Sequence, residues 1–269
     1  MNRQRMVGIA TLAFCLAVAA ANAFAQANPP QKPFEPSVGQ AGKDVVWVPT
    51  SQALVDKMLD MAKVTPQDFV MDLGSGDGRT VITAAKRGAT AMGIEYNPDM
   101  VELSKKNAEK EGLNGNKATF VKADLYETDL SKATVITMFL LPEINLKLRP
   151  KILNLKPGTR IVSNSFTMED WEADQTEHIS GECTSWCTAL LWIVPAKVEG
   201  TWTTPQGDLT LKQEFQKLQG TLGSTKIEGK MNGDQITFTA GKAKYTGKVN
   251  GNTIQGTVDG GGSWTATKR

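Results

Sequence analysis

The run Asp72-Leu73-Gly74-Ser75-Gly76-Asp77-Gly78-Arg79 follows an apolar stretch and opens a helical one. Glycines at such a turn let the backbone bend sharply and approach a bound molecule closely. The helix start beyond offers free N–H groups. A glycine-rich strand-to-helix loop also suits dinucleotides, whose fingerprint spaces glycines as G-x-G-x-x-G around a pyrophosphate. Here the spacing is G-x-G-x-G, with Asp72 two residues ahead of the first glycine. A carboxylate in that place repels pyrophosphate and suits a zwitterionic, sulfonium-bearing ligand.

Two more acids extend the pattern. Glu95 closes an apolar run in Gly93-Ile94-Glu95-Tyr96-Asn97-Pro98. An acid there can accept hydrogen bonds from both ribose hydroxyls; the plainer alternative is a solvated loop acid. Asp124, in Ala123-Asp124-Leu125, can accept from an adenine amino group, with Leu125 flanking the ring. Three acids ending three successive strands share one sheet edge, the edge where open α/β sheets bind ligands. With Gly74, Ser75, Gly76 and Tyr96 in the same turns, they form the candidate cofactor site.

The frame that positions these turns reads as alternating strands and helices, the signature of a parallel sheet with crossover helices. Leu54, Val55, Met58 and Leu59 recur at helical spacing after Thr50 and Ser51, either a candidate cap. Strands are predicted at 69–73, 91–95, 119–122, 134–139 and 160–165. Helices are predicted at 79–86, from Asn97-Pro98 to near Gly112, and over 142–155 with an interruption near Pro150. The runs 176–180 and 188–194 read as a terminal antiparallel pair. After Pro195 the pattern changes to short alternating strands, with Asn232-Gly233 and Asn250-Gly251 as two-residue hairpin turns. Gly229, Gly247 and Gly256 recur in a loose repeat. The tail predicts a small all-β module of seven or eight strands, a barrel or a meander, with Trp202 and Trp264 as candidate plugs.

The fourth strand leads into Phe139-Leu140-Leu141-Pro142-Glu143. Taken in order, Val48-Pro49-Thr50-Ser51, "DLGSGDGR", "GIEYNP", "ADL" and "FLLPE" resemble the class I S-adenosylmethionine-dependent methyltransferases related to the mitochondrial lysine methyltransferases that modify the ATP synthase c subunit and the adenine nucleotide translocase. The resemblance spans roughly residues 45–195. It implies a Rossmann-like seven-stranded sheet, S-adenosyl-L-methionine as cofactor, and cofactor roles for Asp72, Gly74, Gly76, Glu95 and Asp124. It also implies that Pro49 and Thr50 cover the cofactor and that Phe139, Pro142 and Glu143 line the acceptor channel as catalytic candidates. Methyltransferases acting on planar amino groups carry Asn or Asp followed by prolines at this place. Their absence argues against a nucleic-acid base as acceptor. An apolar lip can instead desolvate an aliphatic amine, lowering its pKa and freeing its lone pair. Leu140 alone reads better as completing a buried strand.

The start of the chain reads as an export signal. Arg3 and Arg5 precede an apolar run from Met6 to Ala21, and Ala23-Phe24-Ala25 offers a cleavage site before Gln26. The run is short for a span of roughly 20 residues, so a retained membrane anchor is the second choice. Residues 26–46, rich in Pro, Gln and Gly, read as a flexible linker. The domain plan is thus 1–25 signal, 26–46 linker, 47–196 methyltransferase, 197–269 all-β module. Removing 1–25 leaves 28 basic against 28 acidic residues, no bulk attraction for nucleic acid. Export, into a bacterial periplasm, makes a Cys183–Cys187 disulfide the favoured state of the mature cysteines, ahead of free thiols. With His178 they supply three candidate zinc ligands and no fourth, so His178 reads as a surface strand residue and no metal is expected. The function expected is N-methylation of a protein lysine. The alternatives are a cofactor-binding protein without turnover, whose β module recognises an envelope component, and a small-molecule methyltransferase.

Overall fold

Local capping starts two of the helices where the sequence places them. The Ser51 hydroxyl accepts the Leu54 N–H at 3.3 Å and opens α1 (Gln52–Met61), which buries Leu54, Val55, Met58 and Leu59. Asn97 accepts the Asp99 N–H, and Pro98 takes the first position of α3 (Pro98–Lys110). Between them lie β1 (Phe69–Leu73), α2 (Arg79–Lys86) and β2 (Thr90–Glu95). After α3 come β3 (Ala118–Lys122), β4 (Val135–Met138), α4 (Pro142–Ile152), β5 (Arg160–Asn164), β6 (Gln175–His178) and β7 (Thr188–Ile193). The description comes from a computed structural model and covers residues 34–113 and 115–269. The expected signal segment, residues 1–25, lies outside it, as does the linker up to residue 33.

The seven strands form one sheet in the order β3-β2-β1-β4-β5-β7-β6. The first five are parallel; β7 runs against β5 and β6 against β7. Strand order reverses between β1 and β4, and a crevice opens there at the carboxyl ends. One face packs on α1 and α2 through Leu54, Leu59, Val81 and Val135. The other packs on α4 through Leu73, Ile136, Leu148 and Trp192. Contrary to the expected break, α4 runs through Pro150. In the last turn a proline removes a single ladder bond, and Leu148 and Ile152 are buried on either side of it.

The tail closes into an eight-stranded antiparallel barrel, resolving the choice between barrel and meander. Its strands are β8 (Gly200–Thr204), β9 (Gly207–Glu214), β10 (Lys217–Leu222), β11 (Thr225–Asn232), β12 (Gln235–Ala240), β13 (Ala243–Asn250), β14 (Thr253–Val258) and β15 (Gly262–Lys268). Side chains fill a barrel of this size. Trp202, Phe238 and Trp264 are buried in it, and the two indole N–H groups donate to backbone carbonyls, those of Val198 and Thr246 respectively. The repeated glycines make room for these rings. A Cβ at Gly229 would lie 2.5 Å from that of Phe238, and one at Gly247 would lie 2.9 Å from the Trp264 ring. The barrel docks through Phe215, stacked on Trp171 at 5.8 Å, and through Gln216, which donates to the Glu172 carbonyl. Ala196 N–H donates to Gly233 O at 2.8 Å, and Gly233 packs on Gly158, just ahead of β5. The barrel therefore sits at the amino ends of the parallel strands. No helix among the described residues is long and apolar enough to cross a membrane.

Candidate active site

A cavity of about 240 Å³ opens at the carboxyl ends of the parallel strands. It collects Asp72, Gly74, Ser75, Gly76, Glu95, Tyr96, Asp124 and Leu125, with Pro49 and Thr50 on one side and Phe139 on another. Pro142 and Glu143 are not in its lining. Pro142 is the first residue of α4, and Glu143 is exposed in the first turn, where its charge complements the helix dipole. Leu140 is 4% exposed, but β4 ends at Met138 and Leu140 lines the cavity, so it does not complete the strand as expected.

The glycine loop is built around Glu95. Gly76 N–H donates to Oε2 at 3.0 Å and Asn97 N–H to Oε1 at 2.9 Å. Gly74 and Ser75 N–H both donate to the Ile94 carbonyl, and Gly78 N–H donates to the Ser75 carbonyl. Positive φ at Gly74, Gly76 and Gly78 makes this possible. The loop N–H groups a pyrophosphate would need are thus spent within the protein, while carboxylates line the cavity. That donor set fits the adenosyl, amino-acid-bearing cofactor and not a dinucleotide. The Ser75 side chain turns toward β2. Its hydroxyl sits 2.5 Å from where a Cβ on Gly93 would be, and it is buried without a partner.

Asp72 is buried at the end of β1 and accepts a 2.6 Å hydrogen bond from the Thr137 hydroxyl. Burial pushes its carboxyl up to about 7 from an ordinary 3.8, against the lowering effect of Thr137 and with help from the charges of Glu95 and Asp77. Asp124 behaves oppositely. The Lys43 ammonium on Oδ2, then the Tyr126 N–H on Oδ1, hold it below the usual carboxylate range. Both oxygens expected to face an adenine amino group are therefore engaged.

Lys43 belongs to a small hairpin that composition had assigned to the linker. Gly39 N–H donates to Trp47 O, Trp47 N–H donates to Gln40 O, and Ala41 bridges Val46. The Lys43 ammonium lies 4.9 Å from the Tyr96 ring centre. The Trp47 indole nitrogen is 2.6 Å from where a Cβ on Gly76 would be, so strap and loop interlock. No hydrophobic period marks such a strap in sequence.

The remaining wall is aromatic. Phe139, Phe166 and Trp186 line it, and sequence reasoning missed the last two. Trp186 sits between Cys183 and Cys187, which form a disulfide as expected. That bond removes both thiols from any zinc set, and exposed His178 on β6 instead pairs with the Thr188 hydroxyl. Among the described residues no group of three or more His, Cys, Asp and Glu is placed to hold a metal.

Residues 72–175 match the model of the ANTKMT methyltransferase domain. A protein-lysine N-methyltransferase of Saccharolobus islandicus is 47% identical over 130 residues, covering 47% of this chain and 80% of that protein. The human lysine N-methyltransferase of the ATP synthase c subunit is 34% identical over 137 residues, covering 51% of this chain and 57% of that protein. Among solved structures, an RNA methyltransferase from Salinibacter ruber in complex with S-adenosyl-L-homocysteine shares 43% identity at a TM-score of 0.52, covering 56% of this chain and 96% of that one.

Proposed function

The chain belongs to the family of S-adenosylmethionine-dependent methyltransferases that includes these lysine methyltransferases, and on that premise we propose that it N-methylates a lysine side chain of a protein. One observation carries the reading. The cavity's lining combines three carboxylates, Asp72, Glu95 and Asp124, with a run of apolar and aromatic side chains, Phe139 to Leu141, Ile144, Phe166 and Trp186. The rim supports a protein acceptor over a small molecule. Of the five exposed large hydrophobics among the described residues, Val46, Tyr96, Leu141 and Trp186 line this cavity, and clustered exposed apolar side chains mark interaction surfaces.

Bound S-adenosylmethionine supplies an electrophilic methyl group already activated by its sulfonium. In the proposed site Asp72 would accept from the ammonium of the methionine end and Glu95 from the ribose hydroxyls, and Asp124 would take the adenine amino group once Lys43 leaves its Oδ2. Pro49 and Thr50 cover the cofactor, held by the 2.8 Å bond from Arg79 to the Thr50 carbonyl and by Asn164 on the Thr50 hydroxyl. The apolar lip strips water from the incoming amine and favours its neutral form, which has the free lone pair. No group in the lip takes the proton, so it leaves to water before the amine enters. Positioning supplies most of the acceleration.

The test is transfer of radiolabelled methyl to an envelope protein extract, followed by mass spectrometry. Methyl-lysine in a protein supports the reading. Label confined to small molecules or to RNA overturns it, and cofactor binding without transfer points to a non-catalytic binder. RNA, named for the Salinibacter structure, is disfavoured because the lining's Lys43 and Arg79 are already paired with Asp124 and Asp77. Export is proposed on the signal-like segment and fits the disulfide. A mature N-terminus at Gln26 in a periplasmic fraction supports it; an intact residue 1 in the cytosolic fraction overturns it.

A further inference from the structure

Resting on that reading of the site, we infer that Phe139, Phe166 and Trp186 form a collar around the acceptor side chain and that the Cys183–Cys187 disulfide holds Trp186 in it. The three rings face one another at centroid distances of 5.8 Å (Phe139 to Phe166), 5.1 Å (Phe166 to Trp186) and 6.1 Å (Phe139 to Trp186). All three line the cavity. Ring faces pack along the four-carbon stem of the neutral lysine side chain, and their quadrupole attracts the methylated ammonium that forms on transfer.

The collar is fixed on two sides by backbone that ordinary residues avoid. Ser165 and Trp186 are two of the five non-glycine residues with positive φ among the described residues, at 59° and 58°. Such conformations persist only where the surroundings over-determine them, and they gather at ligand sites. Around Ser165 the determinants are visible. Its N–H donates to Thr188 O, the Ser163 hydroxyl donates to the Phe166 carbonyl at 2.8 Å, and buried Asn145 donates to the Phe166 and Thr167 carbonyls. Around Trp186 the determinant is the five-residue ring closed by the disulfide. Trp186 itself is 48% exposed, so burial does not hold it. The tether does.

Trp186 is therefore a specificity-determining residue that acts on acceptor binding, and the disulfide is a positioning element that acts through it. The probe is a short synthetic peptide with one lysine among leucines and alanines. Its binding to the protein saturated with S-adenosylhomocysteine is measured by calorimetry, and its methylation by radiolabel. Trp186→Ala should raise KM and weaken peptide binding about tenfold, with kcat within about twofold and S-adenosylhomocysteine affinity unchanged. Trp186→Phe should recover most of the loss. Replacing both cysteines by serine should shift KM in the same direction by a smaller factor. Unchanged cofactor affinity certifies that each variant is folded. A parental KM and parental peptide binding in Trp186→Ala overturns the collar, as does a loss confined to kcat. Loss in Trp186→Ala with none in the double serine variant overturns the role of the disulfide. A parent that binds the peptide and transfers nothing sinks lysine methylation while leaving the collar standing. A parent that does neither sinks both.

Discussion

Replacing Asp72 by Asn should stabilise the cofactor-free protein at neutral pH while abolishing tight cofactor binding. The carboxyl is raised from 3.8 to about 7 chiefly by burial. A group whose folded pKa lies above its unfolded value favours the folded state fully at pH below the unfolded pKa, and that advantage is lost as pH rises through the folded one. The window here runs from about 4 to 7. Each pKa unit of difference is worth 1.36 kcal/mol, so at pH 7 and above the ionised side chain costs the fold about 4 kcal/mol. Asn keeps the Thr137 hydrogen bond to its oxygen, and its new N–H donors, if unmet, take back about 1–2 kcal/mol. A net gain of about 2–3 kcal/mol corresponds to a Tm rise of about 5–10 °C for a unit of this size. At pH 4 the parent's carboxyl is protonated in the fold, and the gain should vanish.

The assay is thermal unfolding of both proteins across pH 4 to 8, with and without S-adenosylmethionine. In the parent, the ammonium of the cofactor favours the ionised carboxylate, so affinity should climb with pH and level off above about 7. The Asn variant should show neither that climb nor cofactor-dependent stabilisation. A variant destabilised equally at pH 4 and 8, or one with parental affinity, would refute the argument that a destabilising buried charge is kept for the ligand.

Gly76→Ala should weaken S-adenosylmethionine binding by at least about tenfold while leaving the fold intact, because φ is +55° there and a Cβ would displace the Trp47 indole; calorimetry decides it. Lys43→Ala frees Asp124 Oδ2 for the adenine amino group, so cofactor affinity should rise a few-fold; a fall would make Lys43 part of the cofactor's lid instead. The rate at subsaturating peptide should rise with pH toward the acceptor amine's pKa, since no base lines the lip; a plateau near neutrality would reveal a general base. Phe215→Ala should cost about 1–3 kcal/mol by unstacking Trp171, with cofactor affinity unchanged; a shift in affinity would couple the barrel to the site.

The sheet and its ligand edge were legible because periodicity and glycine spacing act locally. Asp72, Glu95 and Asp124 end strands that only a parallel sheet brings together, and each strand announces itself by an apolar run. The residues that escaped reading lack such a period. Lys43 and Trp47 lie in a Pro- and Gly-rich stretch whose order comes from contacts with the turns after β2 and β3 and with the glycine loop. Phe166 follows a strand by two residues and is aimed by a left-handed Ser165, a choice invisible without the Thr188 and Asn145 partners. Trp186 was in plain view between two cysteines, but only the antiparallel return of β7 beside β5 brings that hairpin to Phe139. Pro142 and Glu143 fall outside the lining for the opposite reason. Adjacency to Phe139 suggested a shared wall, but a helix begins at Pro142 and turns Glu143 toward solvent.

The barrel's position bears on how the acceptor is chosen. Among the described residues none beyond Trp186 lines the cavity, and the barrel contacts fall on Gly158, Trp171, Glu172 and Ala196, at or near the amino ends of the parallel strands. An acceptor protein whose lysine reaches the collar meets first the rim of Val46, Tyr96, Leu141 and Trp186. Any recognition by the barrel must then act on a part of the acceptor that wraps around the sheet, raising effective concentration and not shaping the reacting geometry. The two contributions separate kinetically. Rim and collar substitutions act on short peptides and whole proteins alike, whereas a barrel surface can matter only for an acceptor long enough to span from one edge of the sheet to the other.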